Sequence, residues 1–462
     1  MQANTQTIKT NKKTIRVVKT NKKTKKRKKM KPFSKIIISI IALVSVGVAF
    51  LALPISHKQG VTITFSDNLF TALSSVSGSG LSSVGDIIDV YSTFGLVIIA
   101  FLMELGSVSF LSIIIFIING VGGKTGVAST FLMKEALNVN STKSLYSTII
   151  TIIVEAFVIQ VIGAYSYLAV FTSMYPGDIM SALAVSIFTS ISAFGNAGMI
   201  IFPTEFAINV LSGNVAYNLI TIFLMISGGL GFIAITEVVS KRSFKKISAT
   251  SKIIFYMTFG GIIAATAIFS LMQPKAGFIQ NLFLAVNSTQ SGGFVMQDYS
   301  TFSTPVVLVI MILVFVGASP CSTGGGIKNT TIFVIFSSII AFARGKEPIV
   351  FYRKIASDNV IKAFLIVIIS IVYVFVIVTC LAIANKNTSL QDIVLETVSA
   401  FGNNGVSSGL SNPSMNLVTK LLLVFTMFFG RLGPITMVSV FNKNWLSSSK
   451  KIDYIEEKII VG

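Results

Sequence analysis

SAFGNAGM at residues 192–199 returns almost unchanged as SAFGNNGV at residues 399–406. Looser versions are SVSGSGL at 75–81 and STQSGGF at 288–294. Each joins small hydroxyl or amide residues to a glycine followed by an apolar residue. The last glycines, Gly80, Gly198, Gly293 and Gly405, lie 118, 95 and 112 residues apart. Four polar bends in a hydrophobic chain read as four walls around one hole.

The rest of the chain supplies the setting. Of 462 residues, 53% are hydrophobic and 12% charged, with a mean hydropathy of +0.81. A soluble domain carries about twice that charged fraction. Apolar runs such as 36–53 and 363–384 are long enough to cross hydrocarbon as helices, and strand-period alternation is missing. The expected fold is an all-α integral membrane protein.

The net charge of +20 is concentrated: the first 35 residues hold 14 Lys or Arg and no acid. Nucleic-acid binding fits poorly, because aromatics are not interleaved and an apolar span follows. A cleaved signal fits poorly too, because that span is too long and lacks a clear small-residue cleavage site. A cytoplasmic tail resting on anionic lipid fits best. The same rule places three basic loops inside: Lys124, Lys134 and Lys143; Lys241, Arg242, Lys245, Lys246 and Lys252; Arg344, Lys346, Arg353, Lys354 and Lys362. The C-terminal lysines Lys443, Lys450, Lys451 and Lys458 join them, so both termini are expected in the cytoplasm. Cys321 and Cys380 are too few for a disulfide framework. His57 is the single histidine, which removes histidine-dependent metal sites and Ser-His-Asp chemistry. An enzyme is not expected, nor an organic cofactor.

Between basic loops the same order recurs: a full apolar span, a segment of about a dozen residues ending in the bend, and a second span. The expected organisation is a basic tail at 1–34, then four units at 35–118, 119–239, 240–341 and 342–462, giving eight spans and four re-entrant half-helices. A dozen residues cannot span, and non-helical backbone survives at membrane depth only where it lines a water-filled cavity or is buried in protein. Asp67, Asn281 and Asp392 read as caps for three half-helices, with Asp178 or Ser186 for the other. A half-helix aims its negative end past the bend, and glycine leaves the carbonyls accessible. Four such ends suit a dehydrated monovalent cation, at residues 77–80, 195–198, 290–293 and 402–405. Any one of these glycines, taken singly, would fit close helix packing equally well.

With GASPCSTGGGIKNTT at 317–331, SGGLGF at 227–232, FFGRLGPIT at 428–436 and EEKIIVG at 456–462, the pattern resembles the Trk/Ktr/HKT potassium transporter superfamily, and its KtrB-like membrane subunits in particular. The resemblance runs from about residue 35 to the end. It implies a potassium filter at Ser77, Gly78, Ser79 and Gly80; Gly195, Asn196, Ala197 and Gly198; Gln290, Ser291, Gly292 and Gly293; and Gly402, Asn403, Asn404 and Gly405. Potassium would sit at the four last glycines, and glycine in all four units resembles the potassium-selective members. Residues 317–326 hold five Gly or Pro and cannot continue a stable helix. The resemblance makes them an intramembrane gating loop of Gly317, Ala318, Ser319, Ser322, Thr323, Gly324, Gly325 and Gly326. It also sets Arg431 in the pore as a barrier touching that loop. Lys328 reads as a gate contact or an inside anchor. Glu104 and Glu155 are intramembrane acids, Glu104 either paired with a base, lining the pore, or in a structural hydrogen bond.

The implied protein takes up potassium across a bacterial plasma membrane as a homodimer. A cytosolic nucleotide-binding ring of KtrA/TrkA type regulates it, with sodium as a possible activator. The alternative is a broken-helix secondary transporter of sodium or a small solute, which usually shows two inverted repeats rather than four like units. GVGGKT at 120–125 imitates a phosphate loop, but Ile118 stands where that pattern needs glycine and no strand precedes it.

Overall fold

The computed structural model describes residues 6–10, 13–17, 32–107 and 142–433. Residues 118–125, most of the basic tail, and the motifs beyond Gly433 lie outside the described residues.

The fold is helical. In order the main helices are α1 (Pro32–Leu51), α2 (Phe65–Ser77), α3 (Thr93–Ser107), α4 (Thr142–Met174), α5 (Ile179–Phe194), α6 (Val215–Gly229), α7 (Phe232–Lys241), α8 (Ala249–Met272), α9 (Phe278–Gln290), α10 (Thr304–Val316), α11 (Asn329–Ala343), α12 (Ser357–Ala384), α13 (Leu390–Gly402) and α14 (Leu417–Leu432). Two small antiparallel ribbons were not expected. One pairs Gln6–Thr10 with Lys13–Val17 inside the basic tail, where Ile8, Ile15 and Val17 interrupt the lysines. The other pairs Ile349–Val350 with Arg353–Lys354 across Phe351 and Tyr352.

Among the described residues, α8, α12 and residues 149–174 of α4 are long and apolar enough to cross a membrane. A fourth crossing arises if 204–213 and α6, bent by 103°, count as one. Two spans are interrupted, the first against expectation and the second where the sequence already breaks the helix. One stops at Gly231 (φ +88°), between α6 and α7, and the other between α10 and α11. Ile361, Leu365, Ile368, Val372, Phe375 and Val376 stand exposed along α12, while Ser74, Ser75, Ser192, Asn196 and Asn287 are buried. Apolar side chains thus cover the outside as well as the main core, and polar ones are buried among them near the bends.

α2, α5, α9 and α13 are helices of 13 to 16 residues, each preceded by a longer one. Each packs against the closing helix of the stretch before it: α5 on α3, α9 on α6, α13 on α10, and α2 on α14. The cycle closes, so the first and last parts of the chain are neighbours. Within a stretch, Gly106, Gly228 and Gly430 bring the closing helix close to its own short helix, since an added Cβ would meet the backbone of Val76, Phe194 and Phe401, each four residues before a last glycine.

The caps differ from expectation by one turn. Thr64 and Ser389 accept the amides of Asp67 and Asp392, whose carboxylates in turn accept the cap hydroxyls. Gly277 starts α9, where the Gln280 side chain takes its amide, and Asn281 instead donates to Gln273 and Ala276 carbonyls. Asp178 caps α5 by accepting from Ser181 N at 3.0 Å, while Ser186 lies mid-helix and donates to Ala182 O. The hydroxyl and amide of Ser181 hold the Asp178 carboxyl below its ordinary range. A carboxylate at the third helical position was mistaken for the cap itself.

Candidate functional site: a ring of four bends

After each short helix the backbone turns in the same way. An amide five residues on returns to a carbonyl of the last turn: Ser79 to Ser74 (2.9 Å), Ala197 to Ser192 (2.9 Å), Gly292 to Asn287 (2.9 Å) and Asn404 to Ser399 (3.0 Å). Two left-handed residues flank that amide, two positions apart. They are Gly78 and Gly80 (φ +67°, +79°), Asn196 and Gly198 (+51°, +64°), Ser291 and Gly293 (+59°, +76°), and Asn403 and Gly405 (+48°, +82°). Asparagine tolerates this region through its short polar side chain. Ser291 occupies it at a cost.

The four bends meet. A Cβ at Gly80 would strike Ala197 O; one at Gly198, the backbone of Gly293; one at Gly293, Asn404 O; and one at Gly405, Ser79 O. Each last glycine therefore sits against the backbone of the adjacent bend, round a closed circuit. Side chains brace the circuit from behind. Asn287 donates to Phe294 O and accepts from Phe294 N (both 3.0 Å), and Asn404 Nδ2 donates to Asn287 O at 2.8 Å. Gly195, Gly292 and Gly402 are packed against Ser107, Asn287 and Val314. Several buried polar atoms in or behind the bends have no protein partner, including Oγ of Ser79, Ser192, Ser291 and Ser399 and Oε1 of Gln290. Buried polar atoms are nearly always satisfied, so this cluster fits a polar guest. On the face where the half-helices begin, Gly80, Gly198, Gly293 and Gly405 floor a cavity of about 200 Å³.

On the opposite side of the ring lies the segment between α10 and α11. It is longer than expected, because Ile327 and Lys328 belong to it. Its ends are pinched together: Ile327 N donates to Phe315 O (3.2 Å) and Lys328 N to Val316 O (2.9 Å), with Gly317 against Gly325 and Gly326. The lobe between docks on the break in the second stretch. Ser319 N and Thr323 N donate to Gly229 O and Gly228 O (both 3.1 Å), and Phe232 N donates to Cys321 O (3.0 Å). Ser322 Oγ donates to Ser319 O at 2.6 Å, and Asn329 Nδ2 to Ser319 Oγ at 2.9 Å. The lobe reaches the bends through Thr323, whose Oγ1 accepts from Asn196 Nδ2 at 2.7 Å, and through Gly324 and Gly325, which lie against Gln290 O and Gly402 O. Ala318 is fully buried beside Gly324.

Two cations hold this lobe. Arg431 donates from Nη1 to Thr323 O and from Nη2 to Gly106 O. Lys328 Nζ donates to Gly324 O (2.6 Å) and Gly325 O (3.3 Å), so it is a contact of the loop rather than an inside anchor. The acids lie elsewhere: Glu104 accepts from Gln160 at 2.8 Å and Glu155 from Thr236 at 3.0 Å.

Sequence reasoning missed three contributors. The break at 229–231 is the dock of the lobe, and the glycines of SGGLGF were its visible signal. The buried pair Asp67–Lys420 (2.6 Å) joins α2 to α14, and Ser83 Oγ adds a bond to Asp67 at 2.7 Å. Nothing in sequence links residues so far apart. Glu396, wholly buried on α13, accepts from Ser407 Oγ (2.9 Å) and Ser411 N (3.2 Å) and holds the return of the fourth bend.

The TrkH family model, described as a cation transport protein, matches residues 2–261 and 243–451. The chain is 32% identical to Ktr system potassium uptake protein B of Bacillus subtilis, over 90% of this chain and 94% of that one. It is 31% identical to Ktr system potassium uptake protein D of the same organism, over 91% and 94%. It is 28% identical to the potassium/sodium uptake protein NtpJ of Enterococcus hirae, over 94% and 98%. The fold matches the crystal structure of the potassium transporter TrkH from Vibrio parahaemolyticus with a TM-score of 0.69 at 15% identity, over 91% of this chain and 87% of that one. Apolar helices with polar residues buried near the bends, the closed ring and these matches agree: the chain is a membrane protein of the TrkH family of cation transport proteins.

Proposed function

We propose that the chain is the ion-translocating subunit of a potassium uptake system of the bacterial plasma membrane. It crosses the membrane eight times, with both termini in the cytoplasm and four like units around one pore. The observation that carries this is the closed circuit of four bends, each setting a glycine against its neighbour's backbone. A monovalent cation sheds water at the backbone carbonyls of 77–80, 195–198, 290–293 and 402–405, where four helix C-terminal ends add negative potential. It then meets the lobe at 317–328 and the two cations that hold it. While Arg431 and Lys328 bind the lobe, they oppose an ion leaving the ring; moving the lobe away opens the path. The names of the Bacillus and Enterococcus relatives support potassium as the cargo, and NtpJ's name keeps sodium in the assay.

By the same kinship the chain works as a homodimer with a cytosolic nucleotide-binding ring of KtrA/TrkA type, sodium acts as an activator, and the basic tail rests on anionic lipid. The test is growth of a potassium-uptake-deficient host on limiting potassium, with the chain and its cytosolic partner expressed. Rescue by wild type is expected. Failure despite membrane insertion overturns the reading, and repeating the assay with sodium measures selectivity.

A further inference from the structure

The chain carries +20 overall, yet the face where the half-helices begin has the opposite sign. Residues 52–92, 175–214, 273–303 and 385–420 hold eight carboxylates and four lysines. Half of these acids are spoken for: Asp67 by Lys420, Asp178 and Asp392 at helix caps, Glu396 by two serines. Asp86 differs in position. Among the described residues it is the only charged one lining the cavity of about 200 Å³ floored by Gly80, Gly198, Gly293 and Gly405. Its carboxylate is held in place from a neighbouring stretch, Oδ2 accepting from Thr204 N at 3.1 Å and Oδ1 from the Thr204 hydroxyl. Both partners are neutral, so the full negative charge faces the cavity. A hydrated ion needs roughly 30 Å³ for each water it brings, so this volume holds a cation with part of its shell.

We propose that Asp86 forms an outer cation-recruitment site, at which a still-hydrated monovalent cation waits before dehydration in the ring. The proposal rests on the reading of the four bends as the ion path and adds the step before it. Carboxylates in a low-dielectric mouth raise the local concentration of cations, and salt screens this. Thr204 is a positioning residue that keeps the carboxylate over the cavity.

The experiment measures initial uptake of K+ into vesicles holding the full system, with N-methylglucamine chloride setting the ionic strength. For wild type, the half-saturating K+ concentration should rise with ionic strength while the maximal rate holds; a flat response overturns the proposal without any variant. Asp86→Asn should raise the half-saturating concentration about threefold at low salt, the effect of one unit charge about 6 Å away through water, and flatten its salt dependence. Asp86→Glu should restore both. Thr204→Val keeps the charge and should retain the salt dependence. If Asp86→Asn lowers only the maximal rate, or if Thr204→Val copies it in full, Asp86 is a brace between neighbouring stretches and the proposal fails. If wild type moves no K+, the potassium reading falls first, and the salt dependence is then read with the cation it does carry.

Discussion

On the side of the ring where the half-helices begin, Asp67 meets Lys420 across the closure of the cycle, Glu396 takes two donors from the returning chain, and Asn287 clasps Phe294. On the side where they end, a lobe of backbone is pinched at its neck, with Arg431 bound to one of its carbonyls and Lys328 to two. The first set joins side chains that belong to the framework. The second grips a segment mainly by its backbone carbonyls. Buried networks of the first kind are costly to break and specify one geometry. Bonds of the second kind can be exchanged for water one at a time. The contrast is between a part braced by buried side-chain pairs and a part held through its backbone.

The largest effect should come from disturbing the ring itself. Gly198→Ala forces a side chain onto φ +64° and into the backbone of Gly293, where strain alone costs about 1–3 kcal/mol. Potassium uptake should fall roughly a hundredfold, while Gly260→Ala on α8, which faces open space, should leave it unchanged. Equal behaviour of the two variants would mean the ring is not the path. Next comes the brace. Lys420→Met leaves Asp67 without its cation, and losing one partner of a buried pair costs about 3 kcal/mol. Thermal unfolding in detergent should show that loss, with partial recovery in the Asp67→Asn, Lys420→Met double variant.

Much of this was legible in the sequence, and the manner of each miss is instructive. The bends were visible because the backbone needs glycine at four equivalent places, which leaves a motif. The lobe was visible because glycine and proline cannot continue a helix. The break at Gly231 was signalled only by the glycines of SGGLGF, whose reasons lie in distant contacts: Gly228 against Phe194 O, Gly229 against the Gln290 side chain and Gly231 against Pro320 O. Gly78, Asn196, Ser291 and Asn403 share a left-handed conformation that three different residue types meet in different ways, so composition gave no common mark. Asp67–Lys420 depends on closure of the whole cycle, and no local pattern encodes it.

The side held through its backbone yields smaller effects. Arg431→Ala removes a unit charge below the ring. At about 10 Å and an effective dielectric of 20 such a charge is worth about 1.7 kcal/mol, so cation flux at a fixed gradient should rise roughly tenfold. Unchanged flux and gating would sink the role of Arg431 as a barrier.

Lys328→Met should have the least effect, an increase of about threefold, because its ammonium is already engaged by two carbonyls of the lobe it guards. The informative measurement is the pair. Arg431 holds the carbonyl of Thr323 and Lys328 holds that of Gly324, so the two cations grip adjacent peptide units of one lobe. If their shared work is to keep that lobe in place, losing the first grip already frees it, and the double variant should conduct little faster than Arg431→Ala alone. Groups acting through one element are non-additive in this way. If instead each charge acts directly on the passing ion, their contributions add in free energy and the increases multiply to about thirtyfold. Flux in the double variant therefore separates a gate that must move from a barrier that merely repels.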